Sequence, residues 1–174
     1  HPRNAQNAVA LSRALTGPGQ VVIHAGQSAG GLAAVLAAVD DEQTIAVLAL
    51  DLTDANALAL EAASDVSVRA FGLFGEARSC NADGNGVEVF DAILDARSIR
   101  VVGASHCDFE APTTRTCSVL CGRTDAERNF VIRALMAAFV SAETGLDPSG
   151  ADWFTLGGLA FEGLVSENRV VLLR

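Results

Sequence analysis

Three residues of this 174-residue chain, Ser28, Asp51 and His106, have side chains that can act together as a nucleophile, an acid and a base. A serine hydroxyl is a weak nucleophile until an imidazole takes its proton. The imidazole in turn needs a carboxylate that holds its tautomer and stabilises its charge. The three types follow one another along the chain as serine, acid and histidine. This set predicts acyl transfer through a covalent serine intermediate.

Ser28 stands in the pattern Gly26-Gln27-Ser28-Ala29-Gly30, after a β-branched run that starts at Val21 and before a run of small residues through Val39. G-x-S-x-G between a strand and a helix is typical of a sharp, strained turn that raises the serine hydroxyl above the sheet. We expect Gly26 and Gly30 to make room for the close approach of the helix. The alternative is a glycine-rich turn with a structural role only.

His106 follows the fourth apolar run of the chain, and the end of a parallel strand is where a general base is expected. The alternative is a loop histidine without a role. His24 lies inside the strand that leads to Ser28, so we interpret it as a core imidazole with a hydrogen-bond partner. His1 is terminal.

The acid that would orient His106 has three candidates. Asp51 follows the apolar run 44–50 directly and is favoured, while Asp83 and Glu76 follow the third strand and stay open as alternatives. Sequence alone does not test the hydrogen-bond geometry that distinguishes them. Asp54 is predicted to cap the helix that follows it, a structural duty.

Apolar strands alternate with helical segments along the whole chain, which predicts a parallel sheet buried on both faces. A capping box, Thr124-x-x-Glu127, is expected to open a long helix, and Gly17-Pro18-Gly19 to end the first one. The tail from Asp152 suggests a last helix and an edge strand. The fold class is therefore α/β, with residues 1–174 forming one domain. The expected strands are 21–26, 44–50, 69–75 and 98–104, and the other expected helices are 4–15, 32–39, 55–63 and 87–94.

Composition limits the classes of partner. The net charge of −9 argues against nucleic acid, and no apolar run approaches the roughly 20 residues of a membrane-spanning helix. Four cysteines between positions 80 and 121 favour two disulfides and a secreted or periplasmic protein. A zinc site completed by His106 is the alternative, but the cysteine spacing fits zinc patterns poorly. The string 81–86 echoes a calcium loop without its glutamate, so we interpret it as a turn.

Three segments of the chain together resemble a known family. They are the turn around Ser28, which we call the elbow, with the sequence Gly-Gln-Ser-Ala-Gly-Gly, and the segments Leu-Ala-Leu-Asp-Leu-Thr-Asp and Val-Val-Gly-Ala-Ser-His-Cys-Asp-Phe-Glu. Over residues 20–143 the chain is similar to bacterial serine hydrolases of the α/β-hydrolase fold, in the chlorophyllase and cutinase/lipase-like branch. Asp51 matches an aspartate that some lipases carry in a Gly-Leu-Asp-Pro context, although Leu52 replaces the proline. The resemblance implies hydrolysis of small-molecule or polymeric carboxylic esters, with neither a metal nor an organic cofactor.

One feature departs from that family: the chain begins one helix before the elbow, without the strands that would precede it. Ala29 N–H, directly after the nucleophile, is expected to be one oxyanion donor, and the second donor has no candidate. We expect either a C-terminal part of a longer protein or a second chain that completes the sheet. A non-catalytic hydrolase-like binding domain or subunit, or an acyltransferase with the same triad, are the alternative functions.

The cysteines near the expected site suggest a pairing. Cys107 is adjacent to His106, and Cys80 follows the neighbouring strand. We expect a Cys80–Cys107 disulfide that joins two active-site loops, and a local Cys117–Cys121 disulfide.

Overall fold

The structure is a computed structural model that describes residues 1–17 and 19–174. Pro18, part of the expected stop of the first helix, lies outside the described residues. The strands are β1 (Val22–Gln27), β2 (Thr44–Leu50), β3 (Arg69–Phe74), β4 (Ala96–Val101) and β5 (Val170–Leu172). The helices are α1 (Pro2–Leu15), α2 (Ala29–Asp40), α3 (Leu58–Ala62), α4 (Gly86–Ala92), α5 (Arg115–Leu120), α6 (Ala126–Glu143) and α7 (Leu159–Ser166). Short 3₁₀ turns cover Ala55–Ala57, Ala63–Asp65, Ser79–Gly84, His106–Phe109 and Pro148–Trp153.

The five strands form one sheet in the order β1-β2-β3-β4-β5. β1 to β4 are parallel, and β5 pairs antiparallel with β4 at the edge. Gln27 at the end of β1 lies opposite Leu50 at the end of β2. The residues that follow these two ends, Ser28 and Asp51, are therefore delivered to the same edge of the sheet.

Both faces of the sheet are covered, which explains why its central strands are apolar without alternation. On one face α2, α3 and α4 enclose a core around Phe74 and Phe90. On the other face α6 and α7 pack over Phe71, which stacks on Phe139 with ring centroids 5.0 Å apart. The expected α/β class, a mostly parallel sheet flanked by helices, is confirmed. None of the helices in the described ranges is both long and apolar enough to cross a membrane.

Several expected boundaries are wrong, and two of these differences have a specific physical cause. β4 ends at Val101 and not at residue 104, because Gly103 adopts a left-handed conformation (φ 71°) that turns the chain out of the sheet. The N-cap of α6 is Asp125 and not Thr124: its Oδ1 accepts the amides of Glu127 and Arg128, both at 3.0 Å. A carboxylate satisfies two free amides of the first turn at once, which a hydroxyl one residue earlier does not reach.

α1 packs on α2 and is held there by a buried polar cluster. Ser12 Oγ donates to Asp41 Oδ2 at 2.7 Å, and His24 Nε2 lies 3.0 Å from the same oxygen. The interpretation of His24 as a core imidazole with a partner is confirmed. Burial alone would raise the pKa of Asp41, but the hydrogen bonds from Ser12 and His24 outweigh it and hold that pKa below its ordinary value.

The cluster predicts a pH-dependent stability. A carboxyl whose folded pKa is lowered contributes stability that is present above its unfolded pKa and is lost as the pH falls through the folded pKa. We expect Asp41→Asn to lower the free energy of unfolding by about 1–2 kcal/mol at about pH 7, because an amide oxygen accepts these bonds more weakly than a carboxylate. Urea unfolding measures the difference, which should shrink below about pH 4 as the wild-type carboxyl becomes protonated.

The matched control is Asp40→Asn, a change at the exposed neighbouring carboxylate. It should leave the free energy of unfolding within about 0.5 kcal/mol of wild type. An Asp41→Asn difference that stays constant from neutral to acid pH would contradict the assignment.

Candidate active site

Ser28 occupies the turn between β1 and α2 in a backbone conformation that L-residues rarely adopt, with φ 54° and ψ −124°. Its neighbours hold the conformation in place. Ser28 N–H donates to Leu50 O at 2.9 Å, and Ser28 O accepts the amides of Gly31 at 2.9 Å and Thr53 at 3.3 Å. The turn is thus bonded to the end of β2 and to the first turn of α2, and both neighbours maintain its strain.

Of the two glycines that were expected to make room for the helix, only Gly26 does so. A Cβ on Gly26 would lie 2.2 Å from Gly30 O, so glycine is required there. A Cβ on Gly30 would meet nothing within 4 Å, and the expectation that Gly30 makes room is wrong. The helix turns Gly30 toward solvent and Gly31 inward, where a Cβ would come within 3.1 Å of Gly26 O and 3.2 Å of Leu52 Cβ.

Asp51 and His106 are in direct contact. His106 Nδ1 lies 2.6 Å from Asp51 Oδ2, with the aspartate side chain 1 % exposed and the imidazole 11 % exposed. A carboxylate only accepts hydrogen bonds, so Nδ1 carries a proton, and in the neutral imidazole Nε2 then keeps its lone pair. This tautomer is the one a general base needs.

The other candidate acids lie elsewhere. Glu76 accepts the Gly103 amide at 2.9 Å through Oε1, and its Oε2 is 3.9 Å from Arg100 Nε. Asp83 is exposed on its loop. Asp54 accepts the amides of Ala59 and Leu60, both at 2.9 Å, and so caps the following helix as expected. Of the three carboxylates considered, the structure brings Asp51 to His106.

Three further contacts at this edge were not predicted from the sequence. Gln27 Nε2 donates to His106 O at 3.2 Å and so connects the nucleophile turn to the histidine loop. Ser28 Oγ donates to Thr53 Oγ1 at 3.5 Å. Asn81, in the turn that echoes a calcium loop, donates to both oxygens of Asp51. Its position after β3 at the carboxyl edge is the signal that could have found it.

The Ser28 hydroxyl points to Thr53 in this state. Within residues 1–17 and 19–174, the structure gives it no hydrogen bond to His106. Serine and imidazole nevertheless belong to adjoining loops, because Gln27, the residue before Ser28, holds the His106 carbonyl. Loose nucleophile–base geometry is common in ligand-free enzymes, and a rotation about one side-chain bond reorients a serine hydroxyl.

All four cysteines form disulfides, as expected, but the expected pairing is wrong. The pairs are Cys80–Cys121 and Cys107–Cys117, with Cα atoms 5.6 and 5.8 Å apart. Cys117 lies in α5 and Cys121 directly follows it, four positions or one helical turn later, so the two cysteines lie on the same side of the helix. Each reaches a different active-site loop. Each loop is therefore joined to α5 by a disulfide, and neither disulfide joins one loop to the other.

No model of a known protein family matches this chain, and neither does any curated protein. The geometry at the carboxyl edge of the sheet therefore carries the functional argument.

The elbow makes a specific demand on Gly26. We expect Gly26→Ala to lower the free energy of unfolding by about 2 kcal/mol or more, because the new methyl group overlaps the Gly30 carbonyl and the backbone must move. Gly30→Ala is the matched control: it meets open space and, on helix propensity, stabilises by up to about 1 kcal/mol. Urea unfolding of both variants measures the contrast, and equal effects would refute the packing argument.

Proposed function

We propose that this protein is a serine hydrolase of the α/β-hydrolase type that cleaves carboxylic esters through an acyl-serine intermediate. The observation that carries the proposal is the 2.6 Å hydrogen bond between His106 Nδ1 and Asp51 Oδ2, at the sheet edge where Ser28 occupies its strained turn. An imidazole that donates to a buried carboxylate beside a serine on an elbow is the arrangement that activates a hydroxyl.

The reaction begins when the Ser28 hydroxyl turns from Thr53 toward His106. His106 Nε2 takes the hydroxyl proton while Ser28 Oγ attacks the ester carbonyl, and Asp51 stabilises the imidazolium that forms. The tetrahedral intermediate collapses as His106 returns the proton to the leaving alcohol. His106 then takes a proton from a water molecule, whose oxygen attacks the acyl-serine. The second tetrahedral intermediate collapses as His106 returns that proton to Ser28 Oγ, which releases the carboxylic acid.

Negative charge on the carbonyl oxygen needs hydrogen-bond donors. Ala29 is the first residue of α2, where backbone amides lack partners within the helix. Its N–H is the donor that we assign to the oxyanion, and the positive end of the twelve-residue helix adds to its effect. Proton transfer through His106 and Asp51 needs no metal or organic cofactor in this scheme.

The two disulfides are compatible with an extracellular or periplasmic protein. Both belong to loops beside the proposed site. An esterase that works outside the cytoplasm is consistent with this use of cysteine, and the substrate we propose is a small-molecule or polymeric ester.

A fluorophosphonate probe tests the proposal, because it reacts covalently with activated serines. We expect peptide mass spectrometry to locate the label on Ser28, and Ser28→Ala to remove it. With a p-nitrophenyl ester of a short acid, Ser28→Ala and His106→Ala should each lower kcat by about 10⁴-fold or more, and Asp51→Asn by about 10⁴-fold.

Ser64→Ala, a change at an exposed serine far along the chain from the elbow, is the control and should keep full labelling and turnover. A folded wild-type protein whose Ser28 stays unlabelled would overturn the proposal and favour a hydrolase-like domain that binds without catalysis.

A further inference from the structure

We propose that Asn81 is a positioning residue of the triad: its amide holds the Asp51 carboxylate in the orientation that meets His106. The inference rests on the proposed function and extends it to a residue outside the triad. It is carried by hydrogen bonds, burial and backbone geometry of the loop between β3 and α4.

Asn81 is 1 % exposed and every polar atom of its side chain is used. Its Nδ2 donates to Asp51 Oδ1 at 3.0 Å, to Asp51 Oδ2 at 3.2 Å and to Glu76 O at 3.0 Å. Its Oδ1 accepts the Arg78 amide at 2.9 Å. The partners fix the amide's orientation, since the three oxygens only accept and the Arg78 N–H only donates.

The contact with Asp51 determines where the carboxylate points. Asp51 Oδ1 is shared by Asn81 and by the Gly75 amide at 3.0 Å. Oδ2 is shared by Asn81 and His106. A carboxylate held by donors on both oxygens has one orientation, and that orientation presents Oδ2 to the imidazole. Hydrogen bonds to a charged acceptor are worth more than those between neutral groups.

The loop has an energetically unfavourable backbone conformation directly after this amide. Ala82 and Asp83, directly after Asn81, both have left-handed conformations with φ 49° and 56°. Such residues cost of order 1 kcal/mol each, and they persist where the surroundings determine them. The Cys80–Cys121 disulfide attaches the residue before Asn81 to α5. Strain and a cross-link on both sides of a buried amide indicate that its position matters.

A residue of merely structural importance would act through stability alone, and Asn85 provides the comparison. It lies in the same loop and its side chain also makes two internal hydrogen bonds, to Asp54 N–H at 3.0 Å and Asp54 O at 2.8 Å. Neither bond involves a residue of the proposed triad. Asn81→Ala and Asn85→Ala therefore both remove loop contacts, but only the first releases the Asp51 carboxylate.

The test compares the two variants by thermal unfolding, by turnover of a p-nitrophenyl ester and by the downfield proton resonance of the His106 Nδ1–H. We expect Asn81→Ala to lower kcat by about 10- to 100-fold with little change in KM, and to shift or broaden the downfield resonance. Asn85→Ala should retain kcat within about twofold and keep the resonance, even where it lowers the melting temperature as much.

Asn81→Asp keeps the volume and the acceptor for Arg78 but replaces the donor by a second carboxyl group beside Asp51. Because two neighbouring carboxylates resist being charged together, the shared proton restores a donor at acid pH and is lost at higher pH. We expect kcat of this variant, relative to wild type, to decline as the pH rises. It also serves if Asn81→Ala does not fold.

Wild-type kcat and an unchanged downfield resonance in Asn81→Ala would overturn the inference, and so would equal losses of kcat in Asn85→Ala at equal loss of stability. The resonance separates this outcome from a failure of the proposed function. If wild-type Ser28 takes no label but the resonance is present and depends on Asn81, the proposed function fails and the positioning role stands.

Discussion

A buried carboxylate is stable where donors surround it, and the Asp51 carboxylate sets the arrangement of this edge of the sheet. Its donors come from successive strand ends: the Gly75 amide after β3, Asn81 in the loop that follows, and His106 after β4. Parallel strands deliver all of these to one edge, because their carboxyl ends coincide. Each loop that supplies a donor is thereby held in place, and the imidazole is oriented as a consequence.

The two residues that directly follow β1 and β2 have unfavourable backbone conformations. Ser28 has φ 54°, and Asp51, which follows the neighbouring strand, has φ 44°. Both positions turn the chain sharply at the end of a strand, so that the side chain points out of the sheet edge. Hydrogen bonds to the neighbouring strands hold both conformations in place. The Leu50 carbonyl accepts the Ser28 amide at 2.9 Å, and the Leu73 carbonyl accepts the Asp51 amide at 2.7 Å. Strain of this kind concentrates at functional sites, which agrees with the proposed roles.

Two disulfides join α5 to the loops that carry His106 and Asn81. Cys117 holds the residue after His106, and Cys121 holds the residue before Asn81. This differs from the expected direct bond between the two loops. The two disulfides join α5 to both loops, which also contact each other directly: Glu76 N–H donates to Ala104 O at 2.8 Å.

Local sequence patterns were sufficient to predict much of the fold of this protein. Apolar runs of strand length separated by helical segments determined the α/β sheet, and strand–turn–helix residues around Ser28 located the elbow, because both depend on neighbours within a few residues. The number of cysteines predicted two disulfides, because a count of residues needs no knowledge of where they lie in space.

Other features depend on residues far apart in the chain. The choice of Asp51 over Asp83 and Glu76 as the partner of His106, the pairing of the cysteines and the part played by Asn81 were decided by tertiary structure. Each depends on the position of a loop end to within the length of a hydrogen bond or a disulfide. Asp51, for example, contacts Asn81 and His106, which lie 30 and 55 positions further along the chain. The spacing of residues along the chain does not determine these distances. The packing of strands and helices, which brings the loops together, determines them.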